Sequence, residues 1–95
     1  MSLQRKLYLA GACYSERAKW AGLTYAQAYR KAVRSPFAMG WFIMRVVAPE
    51  DYTNHEMIYT LGLRLQYGSK KSTLRRRAAG RRVIRAWAAK KHIEL

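Results

Sequence analysis

The chain contains two prolines, Pro36 and Pro49, and its most apolar stretch lies between them. Ser35-Pro36 is a favourable N-cap and N1 pair, because proline lacks an amide that the first turn of a helix would leave unbonded anyway. Residues 37–47 follow, with Arg45 as their one charged residue. Such a run reads as a buried helix; a buried strand is the competing reading, since a short apolar run does not fix its own period. It falls well short of the ~20 residues that cross a bilayer as a helix, so no transmembrane span is expected.

The flanking signals are helical. Thr24-x-x-Gln27 forms a capping box, in which the threonine hydroxyl accepts from the N3 amide while the glutamine reaches back to the cap amide. It opens a helix over 24–34 with Tyr25, Ala28, Tyr29, Ala32 and Val33 on one face and Gln27, Arg30, Lys31 and Arg34 directed largely away. Residues 2–14 fit a first helix with Leu3, Leu7 and Ala10 on one stripe, weakened at its end by Gly11. Helical sequence also fits from Ser15, with Gly22 as a bend. Thr53-x-x-Glu56 reads as a second box, and Met57, Ile58, Leu61 and Leu65 follow at helical spacing until Gly68, a natural C′ residue. A turn over 68–72 leads into a last helix over 73–89. There is no internal repeat and no Gly/Ser linker.

The expected fold is therefore all-α and one domain: four to five short helices, with residues 1–69 an apolar, aromatic docking region and 70–95 a long basic amphipathic helix and tail. Ninety-five residues leave much surface outside any core, so stability is expected to depend partly on partners.

Charge divides the chain. The formal net charge is +14, yet residues 46–63 hold three acids (Glu50, Asp51, Glu56) and no Lys or Arg, whereas residues 64–91 hold eleven bases and no acid. Solvated helices usually interleave signs to gain i,i+4 pairs, so a base-only run points to an external polyanion. At 100° per residue Ala79, Val83, Ile84, Ala86 and Trp87 share one side of the last helix, with Gly80 permitting close approach of another backbone. Arg75, Arg77, Arg81, Arg82 and Arg85 fall opposite, and Lys70, Lys71, Lys90 and Lys91 extend the positive surface at either end. Arginines on a fixed face can contact phosphates bidentately. Ribosomal RNA is the leading partner, since phosphate contacts give affinity without a sequence code. An anionic membrane lipid surface, or acidic subunits of a respiratory or ATP-synthesising complex, is the alternative.

Tyr8, Tyr14, Trp20, Tyr25 and Tyr29 are interleaved with bases, as in single-strand binders. The i,i+4 spacing of Tyr25 and Tyr29 beside Val33 instead favours a packing seam, and Tyr25, Tyr29, Trp41 and Phe42 are expected at core or subunit contacts. Within this seam, Tyr25-Ala-Gln-Ala-Tyr-Arg-Lys-Ala-Val-Arg34 followed by Phe37 resembles the LYR-motif proteins of mitochondria, small basic helical accessory subunits and assembly factors that bind acyl carrier protein. The likeness covers about ten residues, and Ala28 stands where the motif has leucine. It implies a mitochondrial accessory subunit with Tyr29, Arg30 and Arg34 as acyl-carrier contacts. The first 34 residues carry seven bases against the single acid Glu16, a composition akin to an organelle transit peptide that would here be retained.

No catalytic constellation is expected. His55 and His92 are isolated, with His55 in a helix first turn; Cys13 is the single cysteine and has no acid/base partner nearby in sequence. Glu50, Asp51 and Glu56 lack the spaced oxygen ligands and glycine of a calcium loop, and pairing with the chain's own arginines or a neighbour's suits them better. No metal or cofactor is called for, nor is any glycine-rich phosphate loop present. The function expected is that of a non-catalytic subunit of a large assembly, with mitochondrial placement and a ribosomal protein leading.

Overall fold

The structure, a computed structural model, describes residues 2–9, 11, 14–68 and 74–95, and their regular structure is entirely helical. Six α-helices run in the order α1 (Leu3–Leu9), α2 (Tyr14–Lys19), α3 (Tyr25–Ala32), α4 (Pro36–Phe42), α5 (His55–Tyr67) and α6 (Leu74–Lys90). There is one helix more than expected because the amino-terminal segment is divided at Gly11, whose φ of +73° is a left-handed turn that a helix cannot continue through. A second such turn at Gly22 (φ +74°) ends the region before α3.

The apolar run between the prolines is a helix, not a strand. Ser35 caps α4, its hydroxyl accepting from the Ala38 amide at 3.5 Å, with Pro36 in the first turn. The helix then widens into a π-helical segment, Ile43–Val47, and ends in a 3-10 turn, Ala48–Glu50. Pro49 has no amide to donate to a carbonyl of the preceding turn, so it sits in the first positions of the closing 3-10 turn, where the helical ladder stops. Widening also turns Ile43, Val46, Val47 and Ala48 inward together, while Arg45 stays exposed. This continuous rod is the hub of the fold, touching α3, α5 and α6.

Close approach at the hub depends on glycine. A Cβ on Gly40 would lie 2.4 Å from the Gly62 carbonyl oxygen and 2.5 Å from the Gln66 amide, so α4 and α5 cross backbone against backbone. Gly80 of α6 faces the side chains of Met39 and Leu65, not another backbone as the sequence reading supposed.

Aromatic rings fill the other side of the hub. Trp20 stacks on Trp41 at 5.3 Å between centroids, and Trp87 meets Phe42 and Tyr25 edge-on at 6.1 and 5.8 Å. Trp41 and Phe42 are therefore in the chain's own core, 5% and 0% exposed, which is the first of the two places expected for them; neighbouring helices bury both rings, and no surface is left for a subunit contact. Leu3 and Leu7 are buried in the same core, which makes the basic amino-terminal segment part of the folded body. Tyr25, Tyr29 and Val33 pack half-buried on it, as the spacing of α3 requires, beside fully buried Ala28 and Ala32.

Capping follows the sequence in one case and departs from it in another. Both halves of the Thr24–Gln27 box are formed, at 3.2 and 2.9 Å. The second box is not: α5 starts one residue later than expected, with Asn54 at its N-cap and no side-chain cap bond, so Thr53 stands outside the cap position; Asp51 accepts from the Asn54 amide at 3.0 Å. At the far end of α6, His92 adopts φ 56°, and the Ile93 and His92 amides donate to Ala88 and Ala89 at 2.8 and 3.2 Å. That pair of bonds is a Schellman closure with histidine in the place usually held by glycine.

Candidate functional site

Which side of α6 faces inward decides where its arginines point. Gly80, Ile84, Trp87 and Ala88 are buried, so the helix is anchored along this strip. Ala86, assigned to the apolar side from sequence, is instead exposed, and Ala79 and Val83 are half-buried at the margin. The opposite strip runs Arg75, Ala78, Arg82, Arg85, Ala89, at the 3- and 4-residue steps that align side chains along a helix. Arg75, Arg82 and Arg85 are exposed, with Arg81 half-buried beside them; Arg77, expected on this side, instead lines up at helical steps with buried Gly80, Ile84 and Ala88 and is half-buried with its Nε enclosed. Over the roughly 15 Å from Arg75 to Arg85 the one other residue on this strip is Ala78, too small to cover the guanidinium groups. Lys90 and Lys91 are exposed at the helix end, while Lys70 and Lys71 lie outside the described residues, as does Cys13.

The chain's own carboxylates do not neutralise this strip. All five acids lie among the described residues, and the ion pairs among those residues are Lys19 with Glu16, and Lys6 and Lys91 with Glu50. None of Arg75, Arg77, Arg81, Arg82 and Arg85 takes part in them.

Glu50 is a structural centre that the sequence did not reveal. Its carboxylate accepts from the Trp87 indole N–H at 2.9 Å, contacts the Lys6 ammonium, and lies 3.5 Å from the Lys91 ammonium. Pairing with the chain's own bases was expected for the acidic loop, but the partners are lysines from α1 and the end of α6, not arginines. Only the tertiary fold brings position 50 to positions 6 and 87, so no local signal exists for it. Lys6 also sits over the Trp87 ring, 4.9 Å from its centroid; burial first, and then the neighbouring Lys91 ammonium, lower its pKa to about 8. The clasp ties α1, the loop before α5 and α6 together, and fixes the rotation of α6 that turns the arginine strip outward.

Arg30 on α3 and Arg34 in the turn after it are exposed, and Tyr29 is half-buried beside Arg85 in a shallow cleft completed by Ala88, Ala89, Ile93 and Leu95. His55 stacks on Tyr59 and its Nδ1 lies 2.8 Å from the Ala48 carbonyl, a contact that ties α5 to the end of the hub. Among the described residues no three His, Cys, Asp or Glu side chains converge as metal ligands would, and no helix is long and apolar enough to cross a membrane.

No family model matches the chain, and neither a curated protein sequence nor a solved structure matches it.

Proposed function

We propose that this protein is a non-catalytic structural subunit of a large assembly and that it binds structured RNA through phosphate contacts, in the manner of a small ribosomal protein working in mitochondria. The observation that carries the reading is the outward strip of α6, where Arg75, Arg82 and Arg85 are exposed, share the strip with small alanines and are unpaired with any carboxylate of the chain. A rigid helix anchored by Ile84 and Trp87 holds such guanidinium groups at fixed spacing, so fewer side-chain motions are lost when phosphates are engaged. Net charge of +14 adds long-range attraction to the same partner.

The test is the salt dependence of binding to a structured RNA. Replacing Arg75, Arg82 and Arg85 with alanine weakens binding across unrelated sequences and flattens the log-log salt slope by about 0.9 per lost duplex contact, or about 0.7 on single strands. An unchanged slope removes α6 as the contact surface.

A second reading, an accessory subunit of an inner-membrane respiratory or ATP synthase complex contacting anionic lipid or acidic subunits, is favoured by one feature: Arg30 of α3 and Arg34 of the turn that follows it are both exposed within the segment that resembles the LYR motif. Ribonuclease treatment of extract separates the two. Loss of co-sedimentation with a large particle supports RNA; persistence with detergent-solubilised membrane complexes supports the second.

A further inference from the structure

Helix α5 exposes four large apolar or aromatic side chains, distributed around its solvent side. Met57, Tyr59, Leu63 and Tyr67 are 69%, 42%, 39% and 71% exposed. Between this helix and α6 run two clefts of about 400 and 670 Å³ that share Met57, Ile58 and Val83 and so form one groove. Its floor is aliphatic, from Ile58, Leu61, Ala79 and Val83. Lys90 stands at one end and Arg64 with Arg76 at the other; the span from Arg76 to Lys90 along α6 is about 21 Å, the length of a fourteen-residue helix.

We propose that this groove docks an amphipathic helix of a partner protein, one with an aliphatic stripe and acidic flanks. The surface is separate from the arginine strip on the outer side of α6, and the proposal goes beyond the RNA reading. Three observations select the occupant. An aliphatic floor suits Leu or Ile side chains at i, i+3, i+4 and i+7, whereas nucleic-acid bases stack on aromatic planes; of the two aromatic residues lining the groove, Trp87 is engaged by Phe42 and Tyr25 inside the core and Tyr52 stands out on the rim. Cationic side chains at both ends of the groove complement acidic flanks. Four bases, Arg64, Arg76, Lys90 and Lys91, line the groove against three acids, Glu50, Asp51 and Glu56, and Lys6 also engages Glu50, so the rim keeps a positive excess. A second copy of the chain is opposed by repulsion between two molecules of charge +14.

The experiment uses the full chain and three fluorescent probes: a synthetic helix of about sixteen residues with Leu at those positions and Glu elsewhere, its Lys-for-Glu twin, and a single-stranded RNA oligonucleotide. Anisotropy is followed for the wild type, Val83→Glu, Ala79→Glu and the Arg75/Arg82/Arg85→Ala triple variant, each checked for helical content. The acidic helix is expected to bind the wild type and the triple variant within about twofold of each other, and to lose at least about tenfold on the correctly folded Val83→Glu or Ala79→Glu protein. The Lys twin is expected not to bind. The proposal is overturned if the acidic helix does not bind, if its binding is indifferent to both groove variants, if the triple variant abolishes it, or if the groove variants weaken the RNA instead. Failure of the arginine-strip reading looks different, since it shows only in the response of RNA to the triple variant.

Discussion

Gly40→Ala is the perturbation that probes the architecture most directly. An alanine in a helix interior is favoured over glycine by about 1 kcal/mol, so on propensity alone the substitution stabilises α4. The new methyl carbon, however, would stand 2.4 and 2.5 Å from two backbone atoms of α5, the Gly62 oxygen and the Gln66 nitrogen. Neither can rotate away. Relief requires the helices to part by about 1 Å, which forfeits a quarter to a half of the dispersion attraction at each contact so stretched. Overpacking of a tight core typically costs about 1–3 kcal/mol, and a backbone-limited site belongs at the upper end. After the propensity gain the net loss is about 2 kcal/mol, a fall in Tm of roughly 8–16 °C for a chain of this size. Gly80→Ala is the internal control, because its methyl meets Met39 Sδ at 2.4 Å and Leu65 Cδ1 at 3.0 Å, side-chain atoms that can readjust. It should fall within about 1 kcal/mol of the wild type, propensity offsetting repacking. Urea unfolding followed by circular dichroism and tryptophan fluorescence measures both. If Gly80→Ala loses more than Gly40→Ala, or Gly40→Ala is as stable as the parent, the backbone-on-backbone crossing is refuted.

Other consequences are equally open to measurement. Trp87→Ala removes a 5%-exposed ring and should cost about 3–5 kcal/mol in the same unfolding assay; a loss below about 0.5 kcal/mol would place the indole outside the core. His92→Gly relieves a positive-φ residue at the Schellman closure and should raise stability by about 0.5–1 kcal/mol, whereas a fall would show that the imidazole contributes more than its backbone costs. Lys6 releases its proton near pH 8 in the folded chain against 10.5 ordinarily, so between these values the unfolded state holds more protons and the contribution of Lys6 to stability rises with pH; Lys6→Met should abolish that rise. Tyr25 acts oppositely, because burial raises its pKa above 10.0 and its contribution falls with pH above that value, a fall that Tyr25→Phe should remove.

Much of the helical plan is written locally. The Thr24–Gln27 box, the Ser35-Pro36 pair and the stripe from Tyr25 to Val33 each act within one or two turns, and the structure forms all three. The second expected box failed by a shift of one residue: α5 begins at His55 with Asn54 as its N-cap, which leaves Thr53 out of the cap position. Burial of Trp41 and Phe42 and the gathering of Lys6, Glu50 and Trp87 depend instead on how distant helices cross. Their governing signals, Gly40 and Gly62, read in sequence as ordinary weak points of a helix. Only the facing backbone turns them into contacts. The rotation of α6 was legible to about one residue step, with the error at Ala86, because Gly80 and Ala88 bury their small surfaces without announcing a hydrophobic stripe.

That rotation is what lets a short chain present two different surfaces. Burying Gly80, Ile84, Trp87 and Ala88 uses one strip of α6, and the arginine strip lies diametrically opposite. Ala79 and Val83 fall between them on the side of α5, so a partner helix seated there would neither displace the core nor cover Arg82 and Arg85. Glu50 holds this arrangement in place from outside the helix. Its bond to the Trp87 indole fixes which way α6 faces, and its contacts with Lys6 and Lys91 gather positive charge at the base of the groove without drawing on the arginines. A carboxylate paired with those arginines would have satisfied them internally and left nothing for an external phosphate. The scarcity of acids, and the commitment of Glu50 to lysines, are thus the same condition that keeps the outer face of α6 available for a polyanion.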